Sequence, residues 1–175
     1  MRQHLPKEID PFRFAHTKRE ISGRVPLVEL TRLTESLLST DGEVEFRMQF
    51  DIDDTGTPFM QGRFKTTLSL TCERCLQELV LPMEIDSLLG LIRHEKLAEK
   101  LSEQYEPWVV NDAELTDPVT VIEDELILAL PLVPKHDYDC LPDEAWFAGD
   151  KEEKSEEAAK PASPFSVLTS LKTKK

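Results

Sequence analysis

Between residues 43 and 92 apolar and polar side chains alternate almost without interruption. Val44, Phe46, Met48, Phe50 and Ile52 share one parity, and Glu43, Glu45, Arg47, Gln49 and Asp51 the other. A period of two marks a strand with one buried and one wet face. Phe64, Leu68 and Leu70 then alternate with Arg63, Lys65, Thr67, Ser69 and Thr71. After a short polar break, Leu79, Leu81, Met83 and Ile85 alternate with Glu78, Pro82, Glu84 and Asp86. Two such runs around a polar tip predict an antiparallel hairpin. Asp53-Asp54-Thr55-Gly56 is turn chemistry and lacks the ligand spacing of a calcium loop. The three strands predict an antiparallel meander, with a further short edge strand over 105–110 because Pro107 cannot donate to a ladder.

The period changes to that of a helix in two places. Leu27, Leu30, Leu33, Leu37 and Leu38 follow Pro26 and stop at Asp41-Gly42, which predicts a helix packed on the sheet. Thr116-Asp117-Pro118 places a capping side chain and a first-turn proline before a second helix. Val119, Ile122, Leu126, Ala129 and Leu130 form its expected inner face. Glu123-Asp124-Glu125 reads as a polar stripe, since successive helical positions diverge by about 100° and do not converge on one substrate atom. Residues 94–101 predict a short polar helix. The fold class expected is α+β: an antiparallel sheet with packing helices.

Residues 1–25 read as irregular, with Pro6 and Pro11 as breakers. Within Phe12-Arg13-Phe14-Ala15-His16-Thr17-Lys18-Arg19 the simplest expectation is an extended edge that packs its phenylalanines inward. The alternative is an RNA contact through Arg13, Lys18 and Arg19, with aromatics available for stacking. Charge bears on that choice. The chain carries −13 overall, yet residues 1–32 hold seven cations against four carboxylates, a net +3 that leaves −16 for the rest. An acidic body repels phosphate, so RNA contact is expected through this basic arm or through a protein partner.

Three cysteines do not make a disulfide framework, and no apolar run is long enough to span a membrane. The first residues lack the apolar stretch of a secretory signal, and the expected location is cytoplasmic. Cys72-Glu-Arg-Cys75 sits at the hairpin tip, where Cys72 has the inward parity of Phe64, Leu68 and Leu70. A redox dithiol normally opens a helix in a βαβ unit, which does not fit. Two readings stay open. One is a pair of small, partly buried hydrophobes. The other is a zinc site, for which a tight turn brings two thiolates together and His136-x-x-x-Cys140 supplies the remaining ligands. No phosphate-cradling glycine loop or Ser-His-Asp set argues for catalysis, so a small-molecule substrate is not expected.

Three divisions follow: a single domain over 1–142 with its basic arm, an acidic low-complexity linker over 143–163 containing Trp146 and Phe147, and a short amphipathic helix over 164–175 with Phe165, Leu168 and Leu171 on one face.

Several segments together resemble a known family. They are the Cys72–Cys75 hairpin, the run from Val121 to Pro134 with its Leu130-Pro131-Leu132-Val133-Pro134 ending, His136, the stretch from Pro164 to Lys172, and the dipeptides Leu5-Pro6 and Asp10-Pro11. In this order they resemble the YceD family of bacterial large ribosomal RNA subunit accumulation proteins. The resemblance implies a non-enzymatic role in the synthesis, processing or accumulation of 23S rRNA, with rRNA, large-subunit ribosomal proteins or assembly factors as partners. It implies no catalytic residues. A zinc-stabilised adaptor on a ribosomal protein and an rRNA-processing enzyme are the rival readings. Some relatives carry further cysteines after the Leu-Pro-x-x-Pro segment, where this chain offers only His136 and Cys140.

Overall fold

A computed structural model describes residues 5–111 and 115–141. Among these residues five strands form one sheet in sequence order: β1 (Glu20–Pro26), β2 (Glu43–Ile52), β3 (Pro58–Thr71), β4 (Glu78–Ile92) and β5 (Glu106–Val109). The first four are antiparallel; the alternation predicts this for β2, β3 and β4, whereas β1 is a strand in a stretch expected to be irregular. β5 departs from the expected meander by pairing with β4 in parallel. A parallel neighbour needs a crossover, which residues 93–105 supply through a short 3-10 helix, Glu95–Lys100. The fold is α+β. The acidic segment 143–163 and the stretch 164–175 lie outside the described residues.

Parity decides the core. Val44, Phe46, Met48 and Phe50 of β2 and Met60, Phe64, Leu68 and Leu70 of β3 are buried, while their polar neighbours stay in water. The helices α1 (Pro11–His16), α2 (Thr31–Thr34) and α3 (Pro118–Ala129) contribute to the same core.

α1 corrects the expectation of an irregular or extended segment. Asp10 accepts a hydrogen bond from the Arg13 N–H, and Pro11 stands in the first turn, so this proline starts a helix instead of breaking one. Phe14 reaches the sheet edge-on, its ring 5.4 Å from that of Phe50. The leucine run after Pro26 also differs from expectation. Pro26 ends β1, a 3-10 turn covers Leu27–Glu29, and α2 is a single turn. Leu27, Leu30 and Leu33 are fully buried, but their spacing is a strict three, the period of a 3-10 turn. Leu38 is left exposed. Gly42 (φ +119°) takes the left-handed turn into β2, and its carbonyl accepts from Leu27 N–H.

α3 begins where Asp117 and Pro118 predict, with the Asp117 side chain accepting from Val119 N–H. Its inner face is Val121, Ile122 and Leu126, and Ala129 is exposed, contrary to expectation. Glu123 and Glu125 are buried and do not form a solvated stripe. The Glu123 carboxylate accepts from the Arg32 N–H (2.6 Å), the Leu33 N–H (3.1 Å) and Arg32 Nε (2.8 Å), so it caps α2 from a neighbouring helix. Glu125 accepts from the Ser87 hydroxyl of β4. Burial pushes the Glu125 carboxyl above its ordinary range, against the lowering effect of that hydroxyl.

Removing Glu123 strands two backbone N–H groups and one guanidinium N–H. Glu123→Ala should therefore destabilise the fold by roughly 1–3 kcal/mol. Asp124→Ala, whose side chain is half exposed in its pair with Arg32, should cost clearly less, because water screens that pair. Urea unfolding of both variants checks the order, and equal losses would refute the capping role.

Candidate metal centre

The tip between β3 and β4 is closed by its own backbone. Cys72 N–H donates to the Gln77 carbonyl (2.9 Å), and Leu76 N–H donates to the Cys72 carbonyl (2.8 Å). Leu76 makes the tight reversal possible by adopting a left-handed φ of 60°. This geometry turns both cysteine side chains to one side, with Cys72 fully buried as its parity predicts. The chain after α3 is tied to the same tip, because Glu73 N–H donates to the Pro134 carbonyl at 2.8 Å. That bond delivers His136 and Cys140.

The four sequence-predicted ligands converge. Cys72 Sγ and Cys140 Sγ are 3.8 Å apart, Cys75 Sγ and His136 Nδ1 are 3.5 Å apart, and all four ligand atoms lie within 4.8 Å of one another. His136 Nε2 faces the Glu78 carbonyl at 3.0 Å. A carbonyl only accepts, so Nε2 carries the proton and the Nδ1 lone pair points at the sulfurs. Arg74 Nη2 donates to the His136 carbonyl at 2.7 Å, Arg74 Nη1 lies 3.7 Å from Asp139, and the Tyr138 ring lies 4.8 Å from the imidazole. These supporting groups have no signal in the sequence beyond their proximity to the ligands.

Electrostatics separates the thiols. Burial pushes the Cys72 thiol up, but backbone N–H groups of Cys75, His136 and Arg74 outweigh it and hold the group at about 6. Burial, with hydrogen bonds to Cys75 and Cys72, pushes Cys140 up to about 11. All three cysteines are free. Three sulfurs and one imidazole nitrogen, aimed at one point and oriented from behind, are a donor set that can hold a metal ion.

The basic residues stand apart from this centre, at the other end of β3. Arg13 is exposed on α1, Lys18 pairs with Asp51 at 2.9 Å, and Arg19 lies 5.4 Å above the Phe14 ring. Arg93, at 4.6 Å from the Phe12 ring, adds a fourth cation around α1. No helix among the described residues is long and apolar enough to cross a membrane.

The family described as large ribosomal RNA subunit accumulation protein YceD matches residues 60–172. A relative from Haemophilus influenzae carrying that same name is 31% identical over 174 residues, covering 97% of each chain. The chain belongs to the YceD family. Within the YceD match lie most of β3, all of β4 and α3, and the four residues of the centre. No solved structure matches this YceD chain.

Protein purified without chelator should carry about one equivalent of metal, lost in both Cys72→Ser and Cys140→Ser. Chelation should lower the melting temperature, because metal affinity becomes folding stability. Elemental analysis checks this. Metal retained in Cys140→Ser would remove that residue from the ligand set.

Proposed function

We propose that this protein is a non-enzymatic factor that supports accumulation of 23S rRNA during assembly of the large ribosomal subunit. The observation that carries the reading is the near full-length likeness to a relative named for large ribosomal RNA subunit accumulation. The chemistry of the site supports its non-enzymatic half. Four protein donors would fill a tetrahedral ion's coordination, and such a closed site would be structural, since catalysis by the metal needs an open position.

The ion this donor set favours is zinc. Two thiolates on a tetrahedral zinc stand about 3.8 Å apart, and a thiolate and an imidazole nitrogen about 3.6 Å. Here Cys72 Sγ and Cys140 Sγ are 3.8 Å apart and Cys75 Sγ and His136 Nδ1 are 3.5 Å apart, with all four donor atoms within 4.8 Å of one another. Zinc's role is then to fasten the segment after α3 to the hairpin tip, which presents a rigid surface.

Contact with rRNA, where the protein makes it directly, runs through Arg13, Lys18 and Arg19. Net charge of −13 on the chain supports this placement, because most of the remaining surface repels phosphate. Large-subunit proteins or assembly factors are the other class of partner that fits an acidic body.

Two experiments test the reading. Depleting the protein should lower mature 23S rRNA or leave its precursor while 16S changes much less. Equal levels of both RNAs in depleted cells would overturn it. Replacing Arg13, Lys18 and Arg19 together with Ala should weaken rRNA binding and reduce the salt slope by about one unit for each phosphate no longer neutralised. Unchanged affinity and slope would put the RNA-binding surface elsewhere.

A further inference from the structure

β1 is the outer strand of the sheet, bonded on one side to β2. The ladder between them determines which backbone groups are used. Phe50 N–H donates to the Arg19 carbonyl and Leu27 N–H to the Gly42 carbonyl, so the odd-numbered residues form the hydrogen-bonded pairs with β2. In an antiparallel ladder such pairs alternate with non-bonded ones. The even-numbered residues Glu20, Ser22 and Arg24 therefore turn their N–H and C=O groups away from β2. Pro26, which has no N–H, closes one end of this row. Among the described residues, no further strand pairs with this edge.

The same edge lines a groove of about 1540 Å³. Its far wall is residues 5–8 together with Leu115, Asp117 and Val119. Leu5, Leu115 and Val119 are apolar residues of its lining, and Glu8, Glu29 and Asp117 are acidic ones. The cations of β1, β2 and β3 that line the groove are already engaged: Arg24 with Glu43, Arg47 with Glu20, Arg63 with Asp86 and Lys65 with Glu84. Glu8 and Glu29 have no ion pair among the described residues. Of the described residues lining the groove, Lys7 is the cation left to oppose them.

We propose that the free edge of β1 receives an extended, basic peptide segment of a protein partner by strand addition. Backbone hydrogen bonds to Ser22 and Arg24 supply affinity, and alternate side chains supply specificity. Apolar side chains of the segment meet Leu5, Leu115 and Val119, and its lysines or arginines meet Glu8, Glu29 and Asp117. Overall charge also disfavours a second copy of this chain, since two chains of −13 repel each other whereas a basic segment is attracted. The proposal stands on strand geometry and charge. It does not depend on the metal centre or on rRNA contact.

The test uses the full chain and a short capped peptide that alternates lysine with valine. Calorimetry should show saturable binding, weaker by about tenfold or more for a glutamate–valine counterpart. Hydrogen exchange at the Ser22 and Arg24 amides should slow on saturation. Ser22→Pro removes an outward donor without touching the β1–β2 ladder and should abolish binding. Glu8→Lys combined with Glu29→Lys, both on the surface, should weaken it about tenfold in low salt. The proposal is overturned if the lysine–valine peptide does not bind, if the acidic peptide binds as well, if exchange at Ser22 and Arg24 is unaltered, or if sedimentation shows a dimer of the free protein that Ser22→Pro dissolves.

Discussion

The pairing of β3 with β4, which runs from Phe59 opposite Gly90 to Thr71 opposite Glu78, is the constraint on which most of the molecule depends. A register with a period of two leaves no intermediate choice: a slip by one residue would expose Phe64, Leu68 and Leu70 and bury Arg63 and Lys65. The same register decides that Cys72 points inward at the tip. It also sets Glu78, whose carbonyl orients His136, directly across from Thr71. Core packing and ligand geometry are thus two results of one ladder.

The helical layer is fastened to that sheet by groups that are costly to bury. Glu123 and Glu125 leave water at α3 and recover hydrogen bonds from α2 and from Ser87. A buried carboxylate contributes little net stability when paired, but a great deal is lost when its partner is removed. Such groups therefore fix where α2 and α3 sit more than they add to the folding free energy. On the outer face the balance reverses. Arg24, Arg47, Arg63 and Lys65 form cross-strand ion pairs with largely exposed side chains, and solvent screening leaves each pair little net stability. Their effect is to occupy the cations of the sheet, which leaves the acidic groups around β1 to define what approaches its edge.

The candidate metal centre joins segments remote in sequence. Cys75 and His136 are 61 residues apart and Cys72 and Cys140 are 68 apart, so the unfolded chain has no reason to bring them together. Folding supplies the two ends separately, the hairpin tip by local pairing and the second pair by the exit of α3. The Glu73–Pro134 backbone bond then closes the gap. A metal ion bound there would add its ligation energy to that closure, which links the hairpin tip to residues 61 and 68 positions away.

By itself the sequence determined what repeats with a short period or rests on neighbouring residues. The strands β2, β3 and β4, the burial of their faces and the capped start of α3 follow from alternation and from Asp117-Pro118. Asp10-Pro11 carries the same start signal for α1, but the proline is equally compatible with a break, and only packing of Phe14 on Phe50 makes the helix favourable. Tertiary structure decided the rest. Leu27, Leu30 and Leu33 are buried as their spacing implies, yet the segment folds as one 3-10 turn and one helical turn in place of a continuous helix. Burial of Glu123 and Glu125 depends on donors at Arg32, Leu33 and Ser87 that no local pattern announces. The direction of β5 depends on the crossover before it, and convergence of Cys72, Cys75, His136 and Cys140 on the exit path of α3. Local free-energy preferences act between neighbours, whereas these choices are set by partners that meet only once the chain has closed around its core.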